Sequence, residues 1–221
     1  MQYRDHLNRA RNDTSREFFA ANEEYARLVD LICETTFSQA LEIENKVNIT
    51  KYQHALLASF VRSTVVSVDL IINSELVEAV TILRKQVELL ARLYELENEE
   101  FESLSGKTPN LGALKTKIKR LYSAYSEGAH SATYGSMSLL GFYENTERRE
   151  HIFYPEFTEN TEIIFENWIF VFLEFTLWVL DFKTAYFEDY DKTKDEEEFR
   201  NICSIRQSSG LKKKFEGRHG N

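Results

Sequence analysis

Apolar residues recur every three or four positions along most of this chain, which is the spacing of one face of an α-helix. The pattern predicts a helix over residues 15–45 and a second over residues 51–72, the second with apolar residues around a wide arc. A polar break follows, in which Ser74 is suited to cap a third helix over residues 75–98. Because the break is short, we expect the second and third helices to form an antiparallel hairpin.

Two more helices complete the pattern. One is predicted over residues 111–125, and a long aromatic helix over residues 159–189, either as the closing helix of the core or as part of a dimer interface. Its apolar run includes Glu166 and Glu174, and a carboxylate at bilayer depth costs several kcal/mol, so we expect a buried helix and no membrane span. The expected fold is all-α, an antiparallel bundle of four or five long helices.

Charge divides the chain into a helical domain and a tail. Seven acidic residues fall within residues 188–198, whereas residues 200–221 carry six Lys or Arg and one Glu. Charge runs at chain ends are typically solvated and loose. We therefore expect one helical bundle domain over residues 1–190 and a charged, partly disordered tail over residues 191–221, with a nucleic-acid-binding arm as the alternative for the tail.

Composition narrows the class of protein. The chain has 221 residues, 43% of them apolar, with 8 Gly and 2 Pro, so it is long enough for a full core and is neither disordered nor rich in loops. A net charge of −9 argues against duplex DNA as a partner. Cys33 and Cys203 lie far apart, which indicates free thiols, and the N-terminus lacks the apolar segment of an export signal. We therefore expect a cytoplasmic protein.

His130 is the candidate catalytic group. It lies among small and hydroxylated residues, and the ordinary pKa of an imidazole, about 6.5, suits proton transfer. Glu127 and His130 also have the Glu-x-x-His spacing of di-iron helix bundles. Such a site needs two pairs, and the second pair with this spacing, Glu216 and His219, falls in the tail. We therefore expect no metal ion and no cofactor.

A polar stripe runs along the third predicted helix, where Arg84, Glu88 and Arg92 follow one another at intervals of four. One interpretation is an exposed ladder of ion pairs, each worth about 0.3 to 0.5 kcal/mol. The other is a site, because Arg84 falls at the margin of the apolar face, where a guanidinium usually has a fixed partner or ligand.

Two segments carry a family resemblance. Residues 83–94, LRKQVELLARLY, form an arginine-centred helix, and residues 122–131, YSAYSEGAHS, form a tyrosine–serine–histidine segment. Together they resemble a large bacterial family of helical proteins that is similar to the HEPN superfamily (higher eukaryotes and prokaryotes nucleotide-binding). The resemblance implies a HEPN-like bundle and a place among RNases, or their inactive relatives, of toxin and antiphage systems. The family's nucleases carry arginine and histidine on one helix, whereas here Arg84 takes the arginine's role from another helix.

The resemblance implies a metal-independent RNase site. His130 is the expected general base or acid, and Arg84 the group that stabilises charge on the phosphate. Glu88 orients one of them, while Tyr125 and Ser126 donate hydrogen bonds. The alternative is a non-enzymatic partner-binding or scaffold protein, in which the same side chains form a buried polar network that fixes the packing of the helices.

Partners are predicted from the surface. Four cations are suited to bind the RNA backbone: Lys115, Lys117, Lys119 and Arg120. A protein partner is the alternative to RNA. We also expect a homodimer, formed through residues 163–180 or through the central hairpin, because both carry more apolar surface than one side of a bundle requires.

Overall fold

The computed structural model describes residues 3–129, 139–140 and 153–211, with the backbone alone for residues 127–129. Within these residues the chain forms eight α-helices, a short 3₁₀ turn at Leu111–Ala113 and no β-strand. The helices are α1 (Tyr3–Ala21), α2 (Glu24–Lys46), α3 (Lys51–Ile72), α4 (Leu76–Glu95), α5 (Phe101–Leu104), α6 (Lys119–Ala129), α7 (Glu159–Tyr186) and α8 (Thr193–Ser208). The all-α prediction is confirmed, whereas the HEPN-like single-domain arrangement stays a prediction.

The helix predicted over residues 51–72 is confirmed as α3, and a capping box explains where it begins. The hydroxyl of Thr50 accepts the backbone N–H of Gln53 at 3.2 Å, and the side-chain oxygen of Gln53 accepts the backbone N–H of Thr50 at 3.0 Å. The long aromatic helix is confirmed as α7, which begins at Glu159 as predicted.

The single helix predicted over residues 15–45 is wrong, because the chain forms α1 and α2 with a break at residues 22–23. Asn22 makes the break: its side-chain oxygen accepts the backbone N–H of Glu24 at 2.9 Å, and its amide nitrogen donates to the carbonyl of Ser209 at 2.7 Å. An Asn side chain that bonds to nearby backbone competes with the helical hydrogen bonds. The apolar pattern continues through the break because α1 and α2 pack on the same core.

The expected cap at Ser74 is also wrong. Ser74 adopts a positive φ of 55°, and its buried hydroxyl lies 3.0 Å from that of Thr161 on α7. The next residue, Glu75, forms an ion pair with Arg11 of α1 at 2.6 Å. The turn between α3 and α4 therefore closes the predicted hairpin and at the same time binds α1 and α7.

The helix predicted over residues 111–125 begins late, since α6 starts at Lys119. The backbone N–H groups of Lys115 and Thr116 are bound by the carboxylate of Glu174 on α7, at 2.6 and 3.0 Å. Because these two N–H groups bind Glu174, they do not form the hydrogen bonds of a helix, and residues 115–118 form a bend and a turn between the 3₁₀ turn and α6.

The centre of the core is formed by α3, α4 and α7. The ring of Phe60 on α3 stacks on Phe175 of α7 with centroids 4.6 Å apart, and the indole N–H of Trp168 donates to the carbonyl of Thr64 at 3.2 Å. Aromatic side chains dominate the energetics of such a core. The largest aromatic side chains that are almost completely buried are those of Phe18, Tyr25, Phe60, Phe165, Trp168, Phe172, Phe175 and Trp178.

Two helices, α3 and α7, are long and apolar enough to cross a membrane by length and composition. In α7, 78% of the apolar window is buried inside the chain, whereas in α3 the share is 44%. Most of the apolar surface of α7 is therefore covered by its own core. The expectations of no membrane span and of a cytoplasmic location stay predictions.

Four charged residues of α7 are buried: Glu162, Glu166, Glu174 and Lys183. Glu162 accepts a hydrogen bond from the hydroxyl of Tyr25 on α2 at 2.7 Å, and Glu166 pairs with Arg206 on α8. Burial, together with the hydrogen bond to Glu162, raises the pKa of Tyr25 far above its ordinary value. Because an unpaired buried charge is strongly destabilising, these pairs determine which surfaces of α2 and α8 face α7.

Lys183 joins three helices. Its ammonium group is 1% exposed and donates to Glu42 of α2 at 2.5 Å and to Asp195 of α8 at 2.7 Å. Asp195 also accepts the hydroxyl of Tyr190 at 2.6 Å. Burial disfavours the charged carboxylate of Glu42, but hydrogen bonds from Lys183 and Lys46 outweigh it, so the pKa of Glu42 is lowered.

The ion cluster of Lys183, Glu42 and Asp195 holds α8 against the core. The charge pattern predicted a partly disordered tail from residue 191 onward, which includes α8. Ile202 and Ile205 of α8 are buried. The acidic run indicated a solvated segment, yet it contains Asp195, which is the buried partner of Lys183. Residues 212–221, the basic end of the predicted tail, lie outside the described residues.

Lys183→Met should lower the free energy of unfolding by about 3 to 5 kcal/mol, because Glu42 and Asp195 lose their shared buried counter-charge. Urea unfolding followed by circular dichroism measures the change. Lys192→Met, at an exposed lysine that pairs with Glu196, is the control and should leave the midpoint nearly unchanged. A Lys183→Met protein as stable as this control would show that the cluster does not hold α8 in place.

Candidate functional site

The candidate site lies along the contact between α4 and α6, which run antiparallel. Late in α4, the ring of Tyr94 lies 5.8 Å from the ammonium of Lys115, whereas earlier in α4 Arg84 meets Tyr122. The contact later in α4 is made with Lys115, just before α6, and the contact earlier in α4 is made with Tyr122 inside α6. The two helices are therefore antiparallel. The arginine-centred helix and the tyrosine–serine segment are therefore neighbours in the structure.

Among the described residues, Tyr122 and Glu88 hold Arg84 at this contact. Its Nη2 donates to the hydroxyl of Tyr122 at 3.0 Å, and its guanidinium carbon lies 4.9 Å from the centre of the same ring. Its Nε lies 3.5 Å from Oε1 of Glu88, one turn later on α4. The side chains of Arg84 and Glu88 are 26% and 32% exposed. The side chain of Arg84 is thus both oriented and partly exposed to solvent, which suits an anion-binding arginine.

Tyr125 and Ser126 are placed differently from Arg84. Tyr125 is buried, and this burial raises the pKa of its hydroxyl far above the ordinary value, with the side chain of Asn167 on α7 partly offsetting the effect. The hydroxyl of Ser126 donates to the carbonyl of Tyr122 in its own helix at 2.8 Å. Tyr125 therefore faces the core, while Ser126 lies one turn from Tyr122 at the partly exposed side of α6.

His130 lies outside the described residues. In the sequence it follows Ser126 by four residues and Tyr122 by eight, which are the spacings of one helical face. Its catalytic role stays a prediction.

The polar stripe of α4 divides between two environments. Arg92, which is 5% exposed, donates to the carbonyl of Lys107 at 2.5 Å and lies 3.0 Å from Glu95. Glu95 in turn accepts the backbone N–H of Asn110 at 2.9 Å. Arg92 and Glu95 thus secure the loop after α5, and Arg84 is the arginine of this stripe that reaches the surface.

The four predicted RNA-binding cations lie before and at the start of α6, and all are exposed. Lys115 forms an ion pair with Asp181 of α7. For Lys117, Lys119 and Arg120 the described residues provide no carboxylate partner. Lys119 precedes Tyr122 by three residues, so the cations continue the surface on which Arg84 lies.

Glu174 fixes the segment that carries these cations. It is completely buried, and its carboxylate oxygens accept the backbone N–H groups of Lys115 and Thr116. Burial and the nearby negative charge of Glu174 raise the pKa of Tyr94 far above its ordinary value. Charge-assisted hydrogen bonds of this kind are stronger than those between neutral groups.

Two residues of this surface escaped the sequence analysis. Tyr122 is the first residue of the tyrosine–serine–histidine segment and was given no role of its own, yet its hydroxyl orients Arg84. Glu174 was treated as a polar interruption of an apolar run, although it positions a segment 58 and 59 residues away in the chain. Periodicity identifies Tyr122 as inward-facing, but no local signal identifies the backbone groups that Glu174 binds.

Comparison with protein-family models, with curated proteins and with solved structures finds no match to this chain. Among the described residues, no group of three or more His, Cys, Asp or Glu side chains is arranged to hold a metal ion. The site is therefore interpreted from its own geometry and from the two sequence motifs.

Glu174→Gln should destabilise the protein by about 1 to 3 kcal/mol, because a neutral amide replaces a buried acceptor of two backbone hydrogen bonds. The effect should be largest locally, as faster hydrogen exchange of the amides of Lys115 and Thr116. Glu78→Gln, at an exposed position of α4, is the matched control. Unchanged exchange at both amides in the Glu174 variant would contradict the anchoring role.

Proposed function

We infer that this protein binds single-stranded RNA along the α4–α6 surface and cleaves it without a metal ion. The observation that carries this inference is the state of Arg84: it is oriented by Tyr122 and Glu88, yet a quarter of its side chain remains exposed. An arginine fixed in this way is suited to bind phosphate, since its N–H groups already have a defined direction.

The neighbouring cations support a nucleic acid as the ligand. Lys117, Lys119 and Arg120 are exposed and lie on the segment that Glu174 anchors, at the same end of α6. Cations in a row next to an aromatic side chain are typical of surfaces that follow a single-stranded phosphate backbone. The chain as a whole carries a net charge of −9, so this patch is a local concentration of positive charge. A patch of this size suits a short stretch of RNA.

The reaction needs a base, an acid and a group that stabilises negative charge. In our proposal His130 takes the proton from a ribose 2′-hydroxyl, and the 2′-oxygen attacks the adjacent phosphorus. The bond from phosphorus to the 5′-oxygen breaks, and the leaving oxygen takes a proton from a general acid or water, which leaves a 2′,3′-cyclic phosphate. Arg84 stabilises the charge that develops on the non-bridging oxygens, while Glu88 and Tyr122 hold its guanidinium in place.

A second function is favoured by the placement of Tyr125 and Ser126. Tyr125 is buried against the core and the hydroxyl of Ser126 is used within its own helix, which is how the members of a helix-packing network behave. On this reading the chain is a non-enzymatic binding or scaffold protein. Both proposals keep the HEPN-like arrangement, and both extend to an effector in toxin or antiphage systems.

The test uses labelled single-stranded RNA of mixed sequence with chelator present, and records binding by fluorescence anisotropy and cleavage by gel. Arg84→Ala should weaken binding about tenfold, the loss of roughly 1.4 kcal/mol. His130→Ala should retain binding and abolish the cyclic-phosphate product. Lys119→Ala should reduce the slope of log affinity against log salt by about 0.7.

Arg27→Ala is the control, because it removes an exposed arginine from α2. Melting curves of all variants establish that they are folded. Binding without cleavage by the wild type, together with a lower melting temperature for His130→Ala, would favour the scaffold function. Equal RNA affinity of the Arg84 and Arg27 variants would exclude the α4–α6 surface as the binding site.

A further inference from the structure

The outward surface of the α2–α3 hairpin is apolar and lies apart from the α4–α6 surface. Four large apolar residues are exposed there: Phe37 (54%), Leu41 (42%), Val65 (45%) and Val66 (48%). A groove of about 420 Å³ runs between the two helices beneath Phe37 and Leu41. Single exposed apolar residues are ordinary, but a contiguous group of this size marks a binding surface. We call it the α2–α3 face.

The described residues cover α3 less completely than they cover α7. The apolar windows of α3 and α7 have the same mean hydropathy of 1.8, yet 78% of the window is buried in α7 and 44% in α3. Most residues of the α7 window are therefore buried in the core. In α3 more than half of the window is half-buried or exposed, which leaves apolar residues free for a further contact.

Two charged residues flank the apolar centre of this face. Arg62 and Asp69 lie seven residues apart on α3, two turns or roughly 10 Å along the axis, and nearly on one line. Among the described residues neither side chain forms a hydrogen bond or an ion pair. Val65 and Val66 lie midway between them. Burial without a cation nearby raises the pKa of Asp69.

We propose that the α2–α3 face binds the same face of a second copy of this chain, with a two-fold axis that crosses α3 between Val65 and Val66. Such an axis makes the two α3 helices antiparallel and inverts the order of residues along them. Arg62 lies 3.5 positions before this axis and Asp69 lies 3.5 positions after it. Each Arg62 therefore lies opposite the Asp69 of the second copy, and the dimer contains two such ion pairs.

The α2 side of the face lies beside the ion pair. Nδ1 of His54 on α3 lies 3.5 Å from Oε1 of Glu44 on α2, which sets the register of the two antiparallel helices. Seven residues back on α2 and seven onward on α3 bring Phe37 to the level of Val61, one turn from the axis, and both line the groove. Phe37 therefore adds apolar area next to Arg62.

The size of the face suits a dimer. A helix of 22 residues is about 33 Å long, and two helices side by side are roughly 20 Å wide, so the face covers about 650 Å² per copy. Specific interfaces bury about 800 Å² per partner. The area of the face is therefore at the lower end of the range for a stable dimer. Residues at its rim need to contribute only a small additional area.

The charges of Arg62 and Asp69 also argue against a lipid bilayer as the binding partner of this face. A bilayer would have to accept Arg62 and Asp69 on either side of the apolar centre, and charged side chains within the hydrocarbon region are expensive. A second copy instead places its Asp69 opposite Arg62, and its Arg62 opposite Asp69. This order of charges around an apolar centre is self-complementary, which is the property that a two-fold interface requires.

The oligomeric state in solution tests the proposal. Sedimentation equilibrium of the full chain, from submicromolar to tens of micromolar protein, should show a reversible dimer. Arg62→Asp should weaken the dimer at least tenfold, because two carboxylates then face each other, and Asp69→Arg should do the same with two guanidinium groups. The double variant Arg62→Asp/Asp69→Arg should recover the dimer, since each charge again meets its opposite.

Arg16→Asp on α1 is the matched control: it makes the same charge change at an exposed site away from the α2–α3 face and should dimerise like the wild type. Circular dichroism confirms that each variant is folded. A monomeric wild type throughout the concentration range would overturn the proposal, including the case in which the face binds a lipid vesicle or another protein. A folded double variant that stays monomeric would overturn the register of Arg62 against Asp69.

Discussion

The pairing of buried charges on α7 is the constraint on which the rest of the structure depends. This helix is the most apolar element of the core, yet it carries Glu162, Glu166, Glu174 and Lys183 in buried positions. Each of these groups needs a partner in a low-dielectric interior, and each finds it on a different part of the chain: α2, α8, the segment before α6, and α2 with α8 together. Apolar contacts hold the helices together, while these pairs select one arrangement among the many that hydrophobic burial alone would allow.

The functional surface is a consequence of this arrangement. Glu174 fixes the backbone before α6, and that segment carries the exposed cations to the same side as Tyr122. Tyr122 then orients Arg84 across the α4–α6 contact. Arg92 and Arg206 show the contrast, since their side chains are only 6% and 11% exposed and both bind groups of their own chain. The chain thus places two arginines in structural roles and keeps Arg84 oriented at the surface, and this division supports the α4–α6 surface as the RNA site.

Much of the fold is predictable from periodicity, because α3 and α7 have clear apolar patterns with caps or polar breaks at their ends. The break at Asn22 is not predictable in this way, since it depends on a hydrogen bond to Ser209 near the other end of the chain. Asp195 shows the same limit: in the sequence it is one acid of a charged run, and its burial depends on Lys183. At the site, spacing identified Arg84 and Glu88, whereas the resemblance implied hydrogen bonds from Tyr125 and Ser126; among the described residues, the tyrosine that contacts Arg84 is Tyr122. Tyr122 and Tyr125 are three residues apart on α6, and they lie on different sides of it: Tyr125 faces the core, and Tyr122 faces Arg84.

Side-chain NMR of the arginines during titration with a short single-stranded RNA tests the central claim most directly. The Nε–H signal of each arginine reports on its own surroundings, so a site-bound phosphate identifies the residue that it touches. The account predicts that the signal of Arg84 shifts progressively and saturates, while those of Arg92 and Arg206 stay in place because both bind groups of the chain itself. An unchanged Arg84 signal at RNA concentrations that saturate binding elsewhere would contradict the account.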